Sequence, residues 1–292
     1  MRITQRAVAT TSLQGLNRNL EQIGQLQQQL TSGRLISAPS DSPTGTNRAM
    51  QLRSSQAAVE QQSRAIGDAK AWLEQTDSTL QTIIEHTQRV RDLTLQASND
   101  GAMSASGRQA IAIEVASLRD GLIALANTRS QGRPLFGGTT SGPAAYSAAG
   151  AYVGDAGSVN RRVSDDQVMA INTTGPAAFG QGPDDLFGVV GSIAAAVTTD
   201  PAALPGHLQD LDQVMGGLLD ALAGVGVRGA RIERLEEVGL DRSLSLSSQL
   251  SEVENIDLPD TMMRLQMQQI GYETALAATA KAIQPTLLDF LR

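Results

Sequence analysis

From Met262 to Phe290 apolar side chains return every three or four residues. Met262, Leu265, Tyr272 and Leu276 share one seam interrupted only by Gln269, and Ala280, Ile283, Leu287 and Phe290 continue it at spacings of four, three, four and three. That is the stripe of an amphipathic helix. At 1.5 Å per residue it is about 50 Å long, more than one face of a small core requires. A matching stripe lies at the other end of the chain, where Leu13, Leu16, Leu20, Ile23 and Leu30 recur with Gln27 in the one intervening seam position. Two narrow stripes at opposite ends predict an antiparallel pairing of the termini. Two surface helices on a globular body would carry the same pattern, and periodicity alone leaves both readings open.

Between the ends the chain reads as long helices broken by short turns. Thr31-Ser32-Gly33-Arg34 and Ala38-Pro39-Ser40-Asp41-Ser42-Pro43 favour turns over helix, with Ser42 placed to cap a helix that opens on Pro43. That helix carries Ile66, Ala69, Leu73, Leu80, Ile83 and Val90 on one seam, with Thr76 and Thr87 in the two intermediate positions, and runs to about Ala97. Asn99-Asp100-Gly101 reads as a turn, after which Ile111, Val115, Leu118, Leu122 and Leu125 form the next stripe. A short connection makes these two helices antiparallel neighbours.

Composition changes after Phe136-Gly137-Gly138. From Gly142 to Gly182 Gly, Ser, Ala and Pro dominate, with short alternating runs such as Gln167 to Asn172, which predicts a small β-rich or irregular insert. Helix returns at Pro183-Asp184-Asp185 and restarts after Asp200-Pro201, where Leu208, Leu211, Met215, Leu218 and Leu222 make another seam. Gly224 to Gly229 is expected to interrupt it before a further helix from Arg231 to Glu254, and Pro259 marks entry to the terminal one.

Composition narrows the function. The chain has 292 residues and 3% aromatic residues, which suits slender helices packed through small side chains. A net charge of -7 with no cluster of Lys and Arg argues against a nucleic-acid partner. With no cysteine there is no disulfide framework, thiolate metal site or Cys nucleophile. No run of about twenty apolar residues is present to cross a bilayer, and Met1 to Leu16 lacks the apolar stretch of a cleaved secretory signal.

Little else carries chemistry. Gly224-Val225-Gly226-Val227-Arg228-Gly229 matches the dinucleotide fingerprint, but the helical period before it denies it the strand that fingerprint needs. His86 and His207 have no metal-ligand or triad spacing around them and read as surface histidines, and Asn172-Thr173-Thr174 fits the glycosylation sequon. No catalytic, cofactor or metal residue is expected.

Several segments resemble flagellins and their relatives. Met1-Arg2-Ile3-Thr4, Leu30-Thr31-Ser32-Gly33-Arg34 with Pro39-Ser40-Asp41-Ser42-Pro43, and Arg91-Asp92-Leu93 through Ala97-Ser98-Asn99 are similar to the family's N-terminal region. Phe136-Gly137-Gly138, Gly226 through Ile232, Ala277 through Lys281, and Leu287-Leu288-Asp289-Phe290-Leu291 supply the remaining landmarks in order. The opening and the insert, with Ala151-Tyr152-Val153-Gly154-Asp155 and Val168 through Gly175, look like the hook–filament junction branch more than filament flagellin. Two positions depart from the pattern. Ser42 stands where a second Asp is usual, and Pro285 lies inside the terminal helix, where a proline costs roughly 3 kcal/mol or forces a kink.

The resemblance implies a structural subunit of the bacterial flagellum with no catalytic site, exported without a cleaved signal to lie outside the cell. It implies hook-associated protein 1, flagellin and further copies of the chain as neighbours, and an export chaperone before secretion. The expected fold is mainly α: an elongated antiparallel helical bundle with paired terminal coiled-coil helices and a small β-rich insert. Residues 1–43 with 258–292 would form the coiled coil, 44–142 with 183–257 the core bundle, and 143–182 the insert. The assembly interface is assigned to Leu13, Leu16, Leu20, Ile23, Leu30, Met262, Leu265, Tyr272, Leu276, Ile283, Leu287 and Phe290.

Overall fold

The computed structural model describes residues 2–99, 104–164 and 167–283. Seven α-helices account for most of them: α1 (Arg2–Ser32), α2 (Pro43–Ser98), α3 (Ala105–Ala126), α4 (Gly175–Phe179), α5 (Leu186–Thr199), α6 (Leu204–Glu254) and α7 (Leu258–Ile283). Strands among the described residues form two antiparallel hairpins, β1 (Arg129–Ser130) with β2 (Arg133–Pro134) and β3 (Asn160–Arg162) with β4 (Val168–Ala170). The chain divides into two compact units, Met1–Ala58 with Arg242–Arg292, and Val59–Asp241.

In the second unit α2 supplies a heptad row with hardly a break. Ile66, Ala69, Leu73, Thr76, Leu80, Ile83, Thr87, Val90, Thr94 and Ala97 are all buried. Threonine is tolerated there because the Thr76, Thr87 and Thr94 hydroxyls donate to the carbonyls of Trp72, Ile83 and Val90 one turn back, at 2.7 to 2.8 Å, so no buried donor is orphaned. Two exposed ion pairs, Arg91 to Asp212 and Lys70 to Glu236, span the antiparallel α2 and α6. Along α6 Leu204, Leu211, Leu218, Val225 and Ile232 lie seven apart, each fully or almost fully enclosed.

That row runs straight through Gly224 to Gly229, where the sequence predicts an interruption. Each helical glycine costs about 1 kcal/mol relative to alanine. Val225 and Ile232 keep the apolar row continuous, and their burial outweighs the glycines. The helix expected from Pro183 begins later: Gly182–Asp184 is a single tight turn, and Asp185 caps α5 by accepting from Gly188 N at 2.7 Å.

The insert shares the core of the helices around it through a cluster of aromatic rings. Phe136, Tyr146, Tyr152, Phe179 and Phe187 meet with ring centroids 4.7 to 5.8 Å apart in tilted and edge-on pairs. Its irregular backbone is satisfied partly by main-chain hydrogen bonds and partly by three side chains. Asn127 Oδ1 accepts from Ala145 N and Tyr146 N while its amide donates to Tyr146 O. Asn172 Oδ1 accepts from Val159 N and its amide donates to Gly157 O. Asp155 accepts from Thr139 N, Thr139 Oγ1 and Gly157 N, and these donors hold its carboxyl below the ordinary value. Gly138, at φ +73°, brings its backbone so near Asp155 that a side chain there would strike the carbonyl. Two arginines tie the insert to the helices through main-chain oxygens: Arg119 to Phe187 and Ala149, Arg228 to Asn172.

Candidate assembly interface

In the first unit α1 and α7 pack along one another. Their register is set where the α1–α2 turn is stitched to the α6–α7 turn. Leu35 N donates to Glu254 O at 2.7 Å, Ile256 N donates to Gly33 O at 3.2 Å, and Arg34 and Asn255 form an antiparallel bridge. The turn itself is built from short polar side chains. Asp41 accepts from Ser37 N and Ala38 N, and Ser42 Oγ accepts from Gly45 N at the start of α2. Ser42 thus does the capping work without a second carboxylate.

The inward rows follow heptad spacing. On α1 they are Ser12, Leu16, Asn19, Ile23, Leu26 and Leu30, of which only Leu16 is buried and the rest are half-buried. On α7 they are Thr261, Leu265, Gln268, Tyr272, Ala275 and Thr279. Midway the Gln268 amide donates to Asn19 Oδ1 at 3.1 Å and Gln22 Oε1 at 2.7 Å, a polar rung across an otherwise apolar seam. Such a rung fixes register at some cost in stability.

The twelve residues assigned to the interface therefore fall into groups. Leu16, Ile23, Leu30, Leu265 and Tyr272 turn inward on the pair. Leu13, Leu20, Met262 and Leu276 do not; they are 42 to 56% exposed. Ile283 is the last residue of α7, and Leu287 and Phe290, like Pro285, lie outside the described residues. Each exposed member immediately follows an inward Ser, Asn, Thr or Ala. In the antiparallel register set by Gln268 these members rise along a single flank, Leu13 level with Leu276 and Gln27 level with Met262. The opposite flank carries Gln22, Gln29 and Arg264. Met267, 67% exposed, lies among them, so the first flank is the more apolar of the two without the second being wholly polar.

Sequence periodicity missed Leu26 and the Asn19, Gln22 and Gln268 rung. Leu26 stands one residue before the interruption at Gln27, and that adjacency was the available signal. Other candidate residues have structural roles. Asn172 of the sequon is buried and holds two backbone partners, so its amide is not offered to solvent. His86 is half-buried instead of lying on the surface, with Nδ1 enclosed and unpartnered beside Gly121 of α3. His207 lies 3.7 Å from Asp210. Among the described residues no group of acidic or histidine side chains is arranged to hold a metal, and no helix is long and apolar enough to cross a membrane.

Comparison with known proteins places the chain. The bacterial flagellin N-terminal helical region matches residues 3–141. Flagellar hook-associated protein 3 of Escherichia coli is 28% identical over 308 residues, covering 97% of this chain and 96% of the relative. Flagellin E of Vibrio cholerae is 30% identical over 139 residues, covering 47% of this chain and 36% of the relative. The crystal structure of Bacillus cereus FlgL superposes with a TM-score of 0.62 at 26% identity, over 69% of this chain and 99% of that one. The chain therefore carries the bacterial flagellin N-terminal helical region over residues 3–141 and resembles, over nearly its whole length, flagellar hook-associated protein 3.

Proposed function

We propose that this chain is a structural subunit of the bacterial flagellum that forms the junction between hook and filament. The observation that carries the reading is the likeness to hook-associated protein 3 across 97% of the chain, insert included, where flagellin E shares less than half of it. The α1/α7 pair is the surface of assembly. Its seam buries Leu16 alone among the described residues of α1, too little apolar area to offset the entropy of ordering two long helices. Neighbouring subunits that cover Leu13, Leu20, Met262 and Leu276 add the missing burial. In this reading residues 1–43 with 258–292 act as the coiled-coil part, 44–142 with 183–257 as the bundle that carries it, and 143–182 as the insert.

The neighbours are hook-associated protein 1 on the hook side, flagellin on the filament side and further copies in the junction itself. An export chaperone covers the terminal helix before the protein is secreted to the outside of the cell. Immunolabelling of sheared flagella tests the assignment: label confined to the hook tip is expected. Label along the whole filament, together with long fibres grown from the purified protein alone, would mark it as a filament flagellin instead. Removal of residues 259–292 is expected to abolish attachment of filament to hook, and normal filaments on such cells would refute the proposal.

A further inference from the structure

From Gly121 through Gly154 the sequence contains no carboxylate, and its only charged residues are Arg129 and Arg133. Both sit at the β1–β2 hairpin, exposed, on a chain whose net charge is -7. The hairpin turns on Gln131 and Gly132 at φ 50° and 80°, the sign pattern of a type I′ turn. Gln131 is the only non-glycine residue with positive φ among those described. Backbone strain of this kind persists where the surroundings demand a particular shape. The other hairpin does not share the charge, because Arg161 and Arg162 are followed in sequence by Asp165 and Asp166.

A groove of opposite character lies between α2 and α6. Its floor is Leu73 and Val225 with Gly226, Gly229 and Ala230, and its rim is Glu74, Asp77 and Glu233. Lys70, also on the rim, is occupied by Glu236 at 2.8 Å. Among the described residues neither hairpin arginine forms an ion pair, and none of those three rim carboxylates does. An arginine suits such a groove because its methylene stem covers apolar floor while its guanidinium reaches carboxylates at the edge. Glycines on the α6 side let another backbone approach closely.

We propose that the β1–β2 hairpin of one copy seats in the α2/α6 groove of the next, Arg129 and Arg133 meeting Glu74, Asp77 and Glu233. The contact joins two different patches, so it propagates from copy to copy instead of closing a two-fold dimer. It rests on the reading that copies of this chain lie side by side in the flagellum.

The absence of cysteine makes a direct test possible. The full chain carrying Arg133→Cys and Glu74→Cys is expressed in place of the wild type, and sheared flagella are treated with a short bis-maleimide. Oxidation alone does not suffice, since side chains this long hold their α-carbons beyond disulfide reach. A ladder of cross-linked multimers is expected, absent from either single variant. Monomer only, or dimer and nothing larger, from flagella that contain the protein would overturn the hairpin contact. Wild-type protein missing from sheared flagella would instead refute the flagellar assignment. In a second arm, Arg129→Glu with Arg133→Glu should lower incorporation about tenfold, and adding Glu74→Arg with Glu233→Arg should restore it to within about twofold. Reversal without loss, or loss without rescue in a chain of unchanged helicity, would also overturn it.

Discussion

Arg53 of α2 reaches across to Glu254 at the end of α6, 2.7 Å from a carboxylate whose side chain is only 12% exposed. The same residue's carbonyl accepts from Leu35 N, so Glu254 ties the α1–α2 turn, the start of α2 and the approach to α7 together. Arg53→Ala leaves that carboxylate without its cation. Because Arg53 itself is half exposed, the expected loss is about 1 kcal/mol, not the larger penalty of a sealed ion pair. Urea denaturation of the single variants and of the double variant with Glu254→Ala would show it as a coupling energy.

The two rows on α1 make separate predictions. Leu16→Ala removes the one enclosed side chain that the described residues of α1 bring to the seam and should cost about 2 kcal/mol in the α1/α7 pair, read as lost helicity on mild heating. Leu13→Ala and Leu20→Ala should change the isolated chain by less than about 0.5 kcal/mol, since both are more than half exposed. Under the proposed function they should nevertheless reduce incorporation into flagella. Equal effects of all three variants on the isolated chain would remove the distinction between seam and flank.

Glycines in α6 bear on stability directly. At Gly216 and Gly226 an added Cβ meets nothing within 4 Å. Each Gly→Ala change should therefore stabilise by about 0.5 to 1 kcal/mol, through helix propensity alone. Gly138→Ala should do the reverse, because its positive φ and the neighbouring Asp155 carbonyl leave no room. Thermal midpoints of the three variants test both signs.

Asp155 gives the insert an acid-sensitive component. Its folded pKa lies below the unfolded value because three donors favour the ionised form. The stability it contributes is thus complete above the ordinary carboxylate value of about 3.9 and is lost as pH falls through the lowered folded value. Asp185 has the opposite sign. Burial raises its pKa, so its contribution to stability grows as it becomes protonated. Asp155→Asn should therefore flatten the loss of stability between neutral and strongly acidic pH, measured by denaturant midpoints at each pH.

The core of α2 was legible in sequence because its seam, from Ile66 to Val90, has one period and a single buried face, and threonine fits that face by bonding its own helix. The pairing of α1 with α7 was legible for the same reason, but which residues make the seam was not. Polar Asn19 and Gln268 occupy inward positions while leucines flank them, and hydrophobicity alone picks the leucines. Continuity of α6 was hidden by local glycine preference, which a long buried row overrode. The insert was legible only as a departure from helix. Its loops are held by Asn127, Asn172 and Asp155, each acting across 13 to 19 residues in a manner that no periodicity announces.

The sparse aromatic residues fall where they serve as separate optical labels. The single tryptophan, Trp72, is buried in α2; Tyr146 and Tyr152 lie in the insert; and Tyr272 lies on the seam of α7. Fluorescence excited at the tryptophan edge reports the surroundings of α2 alone. Replacing Tyr272 with phenylalanine leaves tyrosine emission to the insert, and each region's melting can then be followed by wavelength without attaching a dye.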